Sequence, residues 1–170
     1  VIFVGGVSSE KGCDTIITAA ENMPEITFHL VGIISREIQT MKIPPNVKLY
    51  GNQERGVVQK MLLNCDVFVF LSHYFGEGFS NALLEAMAAG LPCIVTDWAA
   101  NADMIGQDGG FVIKQQDPSA LIDALKRLNN KEMRTKMSQR NFAEVKNNYT
   151  AQIVLKKITT FYNEILSSKE

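Results

Sequence analysis

The chain has 170 residues, 46% of them hydrophobic and 21% charged, with a formal net charge of −1 at pH 7. This fits one ordinary globular domain, able to bury roughly two-thirds of its unfolded surface. The near-neutral balance excludes a general field for nucleic acid or for a membrane surface, so any anion must be met by local groups. No run approaches the roughly 18 apolar residues of a membrane span, and no signal peptide is evident. Three widely spaced cysteines (Cys13, Cys65, Cys93) and two histidines (His29, His73) show no metal-ligand spacing. They predict reduced, buried thiols in a cytoplasmic protein. The opening Val1-Ile2-Phe3-Val4 is already strand-like and lacks a methionine, which predicts an excised part of a longer protein.

Along the chain, short β-branched and aromatic runs alternate with helical patterns. Residues 1–4, 27–31, 47–50, 67–71, 93–96 and 111–113 read as strands, several almost wholly apolar, as strands covered on both faces are. The first leads through Gly5-Gly6-Val7-Ser8-Ser9-Glu10-Lys11-Gly12 into a helix over residues 13–22. Adjacent glycines let the backbone approach a ligand or turn tightly, and Lys11 at the helix head can offer a point charge to a phosphate. The run fits neither the dinucleotide fingerprint nor the P-loop. Taken alone, it is better read as a surface turn with a solvated lysine.

The second strand, in which His29 packs or caps, turns at Gly32. A short helix around residues 36–41 precedes Pro44-Pro45, and the third strand ends at Tyr50-Gly51. Helices follow over 56–64 and 80–89, the second with Ser80 or Asn81 as N-cap. His73, on the loop after the fourth strand, is read as structural. Trp98 either packs or lines a cleft. Asp117-Pro118 starts a helix reaching about residue 129, and helices over 131–147 and 151–166 close the chain. Basic residues between 126 and 140 are interleaved with Asp123, Glu132 and Asn129-Asn130, the pattern of a solvated helix face. This alternation predicts an α/β nucleotide-binding type of domain, with a mainly parallel six-stranded sheet and helices on both faces. Ligands of such sheets bind in a crevice at the carboxyl ends of the strands. That edge carries Gly5-Gly6, Gly32, Gly51-Asn52 and Ser72 through Asn81.

The densest chemical signal lies in Glu77-Gly78-Phe79-Ser80-Asn81-Ala82-Leu83-Leu84-Glu85-Ala86-Met87-Ala88-Ala89-Gly90-Leu91-Pro92. From Ala82 to Ala89 the only polar side chain is Glu85. A helix apolar all round is expected to be buried, and a carboxylate inside it demands a hydrogen-bonding partner. The preceding loop delivers Glu77 beside a helix start whose free amides attract anions. Two placed carboxylates at such a start predict a site for a hydroxyl-rich, phosphate-bearing ligand. The plainer alternative has Glu77 solvated and Glu85 bonded to a neighbouring loop.

This run resembles the signature of the retaining, group 1 glycosyltransferases, whose two facing Rossmann-like halves form the GT-B arrangement. Phe3-Val4-Gly5 through Lys11-Gly12, Cys65-Asp66-Val67-Phe68-Val69, and Gly109-Gly110-Phe111-Val112 with Asp117-Pro118 extend the resemblance across nearly the whole chain. It implies the C-terminal, donor-binding half, Rossmann-like, with the N-terminal acceptor domain absent. By this resemblance Glu85 bonds the ribose hydroxyls. Glu77, with the amides of Gly78, Phe79 and Ser80, holds the donor sugar. The amides at Ser80, Asn81 and Ala82 face the diphosphate, with Gly5 and Gly6 in the phosphate loop. Lys11 neutralises the leaving diphosphate, and Tyr50-Gly51 lie near the base. Glu77 and Lys11 are the implied catalytic residues, and no metal or cofactor is implied.

The donor expected from the resemblance is a UDP- or GDP-sugar, and the acceptor a hydroxyl of a glycan or lipid. Bacterial polysaccharide or lipopolysaccharide assembly is the expected setting, in the cytoplasm or at most peripheral on the inner membrane face through the full-length protein. Nucleic acid is not an expected partner, and the isolated half is expected to be inactive. Two departures stand out. Family members often carry an arginine where this chain has Gly6, for which Arg36 or Arg55 are candidate substitutes. A glycine-acid-glycine turn is replaced by Gly32-Ile33-Ile34. The rival readings are a nucleotide-sugar epimerase, a non-catalytic nucleotide-sugar-binding or regulatory module, and a dinucleotide-dependent oxidoreductase. The signature argues against the first, and the missing fingerprint after strand one against the last.

Overall fold

The computed structural model describes residues 1–167. Six strands form one sheet: β1 (Ile2–Val4), β2 (Phe28–Val31), β3 (Val47–Leu49), β4 (Phe68–Phe70), β5 (Cys93–Thr96) and β6 (Gly110–Ile113). Their order is β3-β2-β1-β4-β5-β6, and every pairing is parallel. This is the doubly wound order of nucleotide-binding sheets, with its direction of growth reversing between β1 and β4. The expected sheet is therefore present, and it is wholly parallel. β4 and β5 are buried at every position, as their apolar runs require.

The helices are α1 (Cys13–Glu21), α2 (Arg36–Gln39), α3 (Arg55–Leu63), α4 (Asn81–Ala88), α5 (Asn101–Ile105), α6 (Pro118–Arg127), α7 (Lys131–Asn148) and α8 (Ala151–Ser167), with a 3-10 turn at Ser9–Lys11 before α1. Their starts follow from local chemistry. Ser80 Oγ accepts from the Leu83 amide, the Asp117 carboxylate from that of Ala120, and the Asn130 side-chain oxygen from that of Met133. One core runs through Ile2, Phe3, Phe28, Phe68, Leu83 and Ile94, all essentially inaccessible.

α7 clamps the far end of the sheet. Its fully buried Asn141 donates to the carbonyls of Leu91 (2.8 Å) and Gly109 (2.7 Å). Arg134 donates to the Leu128 and Asn129 carbonyls and Arg140 to that of Met104. These two arginines are internal ties, a correction to the reading of this basic stretch as a purely solvated face. Cys13 and Cys93 are buried and Cys65 is half-buried, all unpaired, and burial pushes their thiols up. α8 buries none of its side chains, and Phe161, Tyr162 and Leu166 stay largely exposed. Among the described residues no helix is long and apolar enough to cross a membrane.

Candidate functional site

Two close backbone approaches build the carboxyl edge at the point where the sheet reverses. β2 leaves through Gly32, at φ 140°, where a Cβ would overlap the carbonyl oxygen of Gly5. The Gly5 amide in turn donates to the Val31 carbonyl at 2.9 Å. The turn after β1 is pinned at Gly12, whose φ of 76° is left-handed and whose Cβ would collide with the backbone of Leu71 at the exit of β4. The Glu10 carbonyl accepts from the His73 amide at 2.9 Å. The loops after β1 and β4 therefore lie backbone to backbone. Gly5 takes a positive φ of 149° in the turn after β1, as the adjacent glycines predict, while Gly12 and Gly32 are where the loops meet backbone to backbone. Gly6 is exposed and faces open space where a side chain would project.

That packing sets Lys11 against Glu77. Nζ lies 2.5 Å from Oε2, with the side chains 21% and 11% exposed. Ser72 Oγ donates to the same carboxylate oxygen at 2.7 Å, and the Lys11 ammonium sits 4.4 Å from the centre of the Tyr74 ring. Neither charge is solvated, which overturns the plainer readings of both residues. The loop between them is braced by Trp98, whose indole N–H donates to the Tyr74 carbonyl at 2.7 Å. His73 Nδ1 is buried without a partner. Ser72 and Thr96 carry no role in the sequence reading. A serine and a threonine at strand ends offer no spacing signal, and their contact spans 24 residues.

α4 begins beside this pair. Among the described residues, no group accepts a hydrogen bond from the amides of Gly78, Phe79, Ser80, Asn81 or Ala82, leaving an array of donors at the positive end of the helix. Gly78 is exposed and meets nothing where a Cβ would stand. Phe79 turns away to pack on Tyr149, with ring centres 5.4 Å apart. Glu85 follows Asn81 by one turn on the same helix face.

The expectation of a buried Glu85 is corrected here. Its side chain is 37% exposed, because only Leu83, Ala86 and Met87 of α4 enter the core while Asn81 and Ala88 remain on the surface. Its partner is Arg55 at the start of α3, 3.7 Å away and itself 80% exposed, a loose pair of little intrinsic strength. Of the two candidate arginines, Arg55 is the one that pairs with Glu85. Arg36 is exposed and has no ion pair among the described residues. Tyr50 hydrogen-bonds its hydroxyl to His29 Nδ1 at 2.8 Å, so its ring leans back along the sheet. Gly51, at φ 65°, stands in open space at the exit of β3.

Two cavities lie away from this edge. A cavity of about 580 Å³ lies at the opposite, amino edge, lined by His29, Cys65, Asp66 and Arg134 among others. Another of about 630 Å³ lies by β6, α6 and α7. Neither includes Lys11, Glu77 or Glu85. Among the described residues, no group of three or more His, Cys, Asp or Glu could hold a metal ion.

The parallel sheet reverses between β1 and β4, the point where open sheets of this order hold ligands, and Glu77, Glu85 and the free amides of α4 stand there. The family model "Glycosyl transferases group 1" matches residues 1–144, and the chain belongs to that family. It is 29% identical over 179 residues to the capsular polysaccharide biosynthesis glycosyltransferase CapM of Staphylococcus aureus, covering 99% of this chain and 47% of the relative. The chain spans less than half the length of the curated relatives it matches. Its fold matches the C-terminal domain of the group 1 family glycosyltransferase LpcC of Francisella tularensis, with a TM-score of 0.74 and 22% identity over 88% of this chain and 86% of that one. It likewise matches Anabaena HepE, solved with UDP-glucose, with a TM-score of 0.77 and 20% identity over 98% and 48% of the two chains. The domain thus has the Rossmann-like fold of GT-B glycosyltransferase C-terminal domains.

Proposed function

We propose that this chain is the C-terminal, donor-binding half of a retaining glycosyltransferase. The whole protein moves a sugar from a UDP- or GDP-sugar to a hydroxyl of a glycan or lipid, in bacterial polysaccharide or lipopolysaccharide assembly on the cytoplasmic side of the membrane. The role of CapM in capsular polysaccharide biosynthesis supports the setting, and the UDP-glucose bound to HepE supports the ligand class. An acceptor domain elsewhere in the protein completes the site at this edge. On this reading the isolated half binds donor weakly and turns over poorly.

The observation that carries the reading is the meeting of Lys11 and Glu77 across 66 residues, beside unsatisfied helix amides. A nucleotide sugar needs this arrangement of groups. Glu85 accepts from the ribose hydroxyls, releasing the loose Arg55 pair. The amides of Ser80, Asn81 and Ala82, with Lys11, face the diphosphate, while Gly5, Gly6 and Gly51 leave the backbone bare for close approach. Glu77, with the Gly78 and Phe79 amides, holds the sugar, and Tyr50 lies on the side of the base. In transfer the bond from the anomeric carbon to the diphosphate oxygen breaks and charge builds on that oxygen. Lys11 and the helix start stabilise it there without a metal or cofactor. Thermal shifts across nucleoside diphosphates and nucleotide sugars test the reading. Stabilisation by UDP or GDP and their sugars is expected, and a flat response across the panel would refute it.

A further inference from the structure

We infer that Ser72 is a positioning residue for Glu77, held in place from the neighbouring strand by Thr96; the inference rests on the proposed role of Glu77 as the sugar-holding acid. Glu77 Oε2 takes both protein donors, Lys11 Nζ and Ser72 Oγ, whereas Oε1 has no hydrogen-bond partner among the described residues. One carboxylate oxygen is thus anchored and the other is available for a sugar hydroxyl.

The anchor is not symmetric. A Lys11 that turns to a diphosphate loosens its hold on Glu77, and the Ser72 hydroxyl is then the donor that keeps the carboxylate oriented. The geometry fixes the direction of that hydroxyl. Ser72 Oγ accepts from the Tyr74 amide at 3.3 Å, which leaves its single proton for Glu77. Ser72 is fully buried, and its carbonyl accepts from the equally buried Thr96 Oγ1 at 2.6 Å, at the end of β5. A rigid strand end therefore supports the loop that supports the acid, the arrangement that holds a binding group within the narrow tolerance its chemistry needs.

Calorimetry of the chain with UDP, UDP-glucose, GDP and GDP-mannose tests this, comparing wild type with Ser72→Ala, Ser72→Thr and Thr96→Val. In Ser72→Ala, diphosphate affinity stays within about twofold while the extra affinity conferred by the sugar falls roughly tenfold, the loss of one hydrogen bond to a charged group. Ser72→Thr restores the sugar's contribution, and Thr96→Val lowers it in the same direction by about threefold. Equal losses for diphosphate and nucleotide sugar, with a lowered melting temperature, would reduce Ser72 to a structural residue and overturn the inference. Unchanged sugar preference would overturn it too. A wild type that binds none of the four ligands refutes the proposed function. A ligand-free double-mutant cycle of Ser72→Ala with Glu77→Gln in urea unfolding still decides the positioning. Coupling of roughly tenfold in the unfolding constant is expected, and additivity would contradict it.

Discussion

The two edges of the sheet differ in a way that separates shape from chemistry. The amino edge has a cavity of about 580 Å³, yet several of the polar groups that line it are spent on the protein itself. Arg134 donates to two carbonyls, and His29 bonds Tyr50. Burial pushes the His29 imidazole down, towards the neutral form. The carboxyl edge gathers an ion pair, a second half-exposed acid and a row of unsatisfied amides. Concavity marks a binding site only when unspent polar groups converge in it. Here they converge on the carboxyl edge, where another part of the protein supplies a further wall on the proposed reading.

The comparison breaks most severely at Gly12. Gly12→Ala forces a Cβ into Leu71 at a left-handed φ. A loss of about 3 kcal/mol in unfolding free energy is expected from overpacking and strain together. Urea unfolding measures it, and a neutral result would show that the two loops need no close approach. Glu85→Ala removes the ribose acceptor and should lower UDP or GDP affinity by about 2 kcal/mol, roughly thirtyfold. Unchanged affinity by calorimetry rejects the role given to Glu85. Lys11→Ala should cost about tenfold for the diphosphate and nothing for the nucleoside; equal losses for both would remove the phosphate contact. The smallest effect sharpens the comparison. Gly6 has open space and an ordinary φ, so Gly6→Arg should fold normally and tighten diphosphate binding by a few-fold. A fall in affinity would place the diphosphate away from the first turn.

Much of this edge was legible before any coordinates. The six strands are named by apolar runs too continuous for surface strands, and their parallel order follows from the intervening helices. Ser80, Asp117 and Asn130 announce helix starts through side chains that bond the third residue onward. α5 escaped notice because five residues carry too little periodicity, and it begins just after Ala99 in a left-handed turn at φ 51°. Glu85 was misjudged for a different reason. Leu84, Ala82 and Ala88 look like core in a linear pattern, but α4 buries a single face within this chain. The Thr96–Ser72–Glu77 relay was invisible because tertiary contacts between unremarkable hydroxyl residues leave no trace in spacing.

The most direct test is a backbone amide NMR titration of the chain with UDP and with GDP. The account predicts that the largest shifts for at least one of them fall on Gly6 and on Gly78 through Ala82, with Lys11 and Glu85 close behind and the amino edge silent. Shifts centred instead on His29, Cys65 and Asp66 would contradict it, placing the nucleotide in the amino-edge cavity and leaving the paired acids without their ligand.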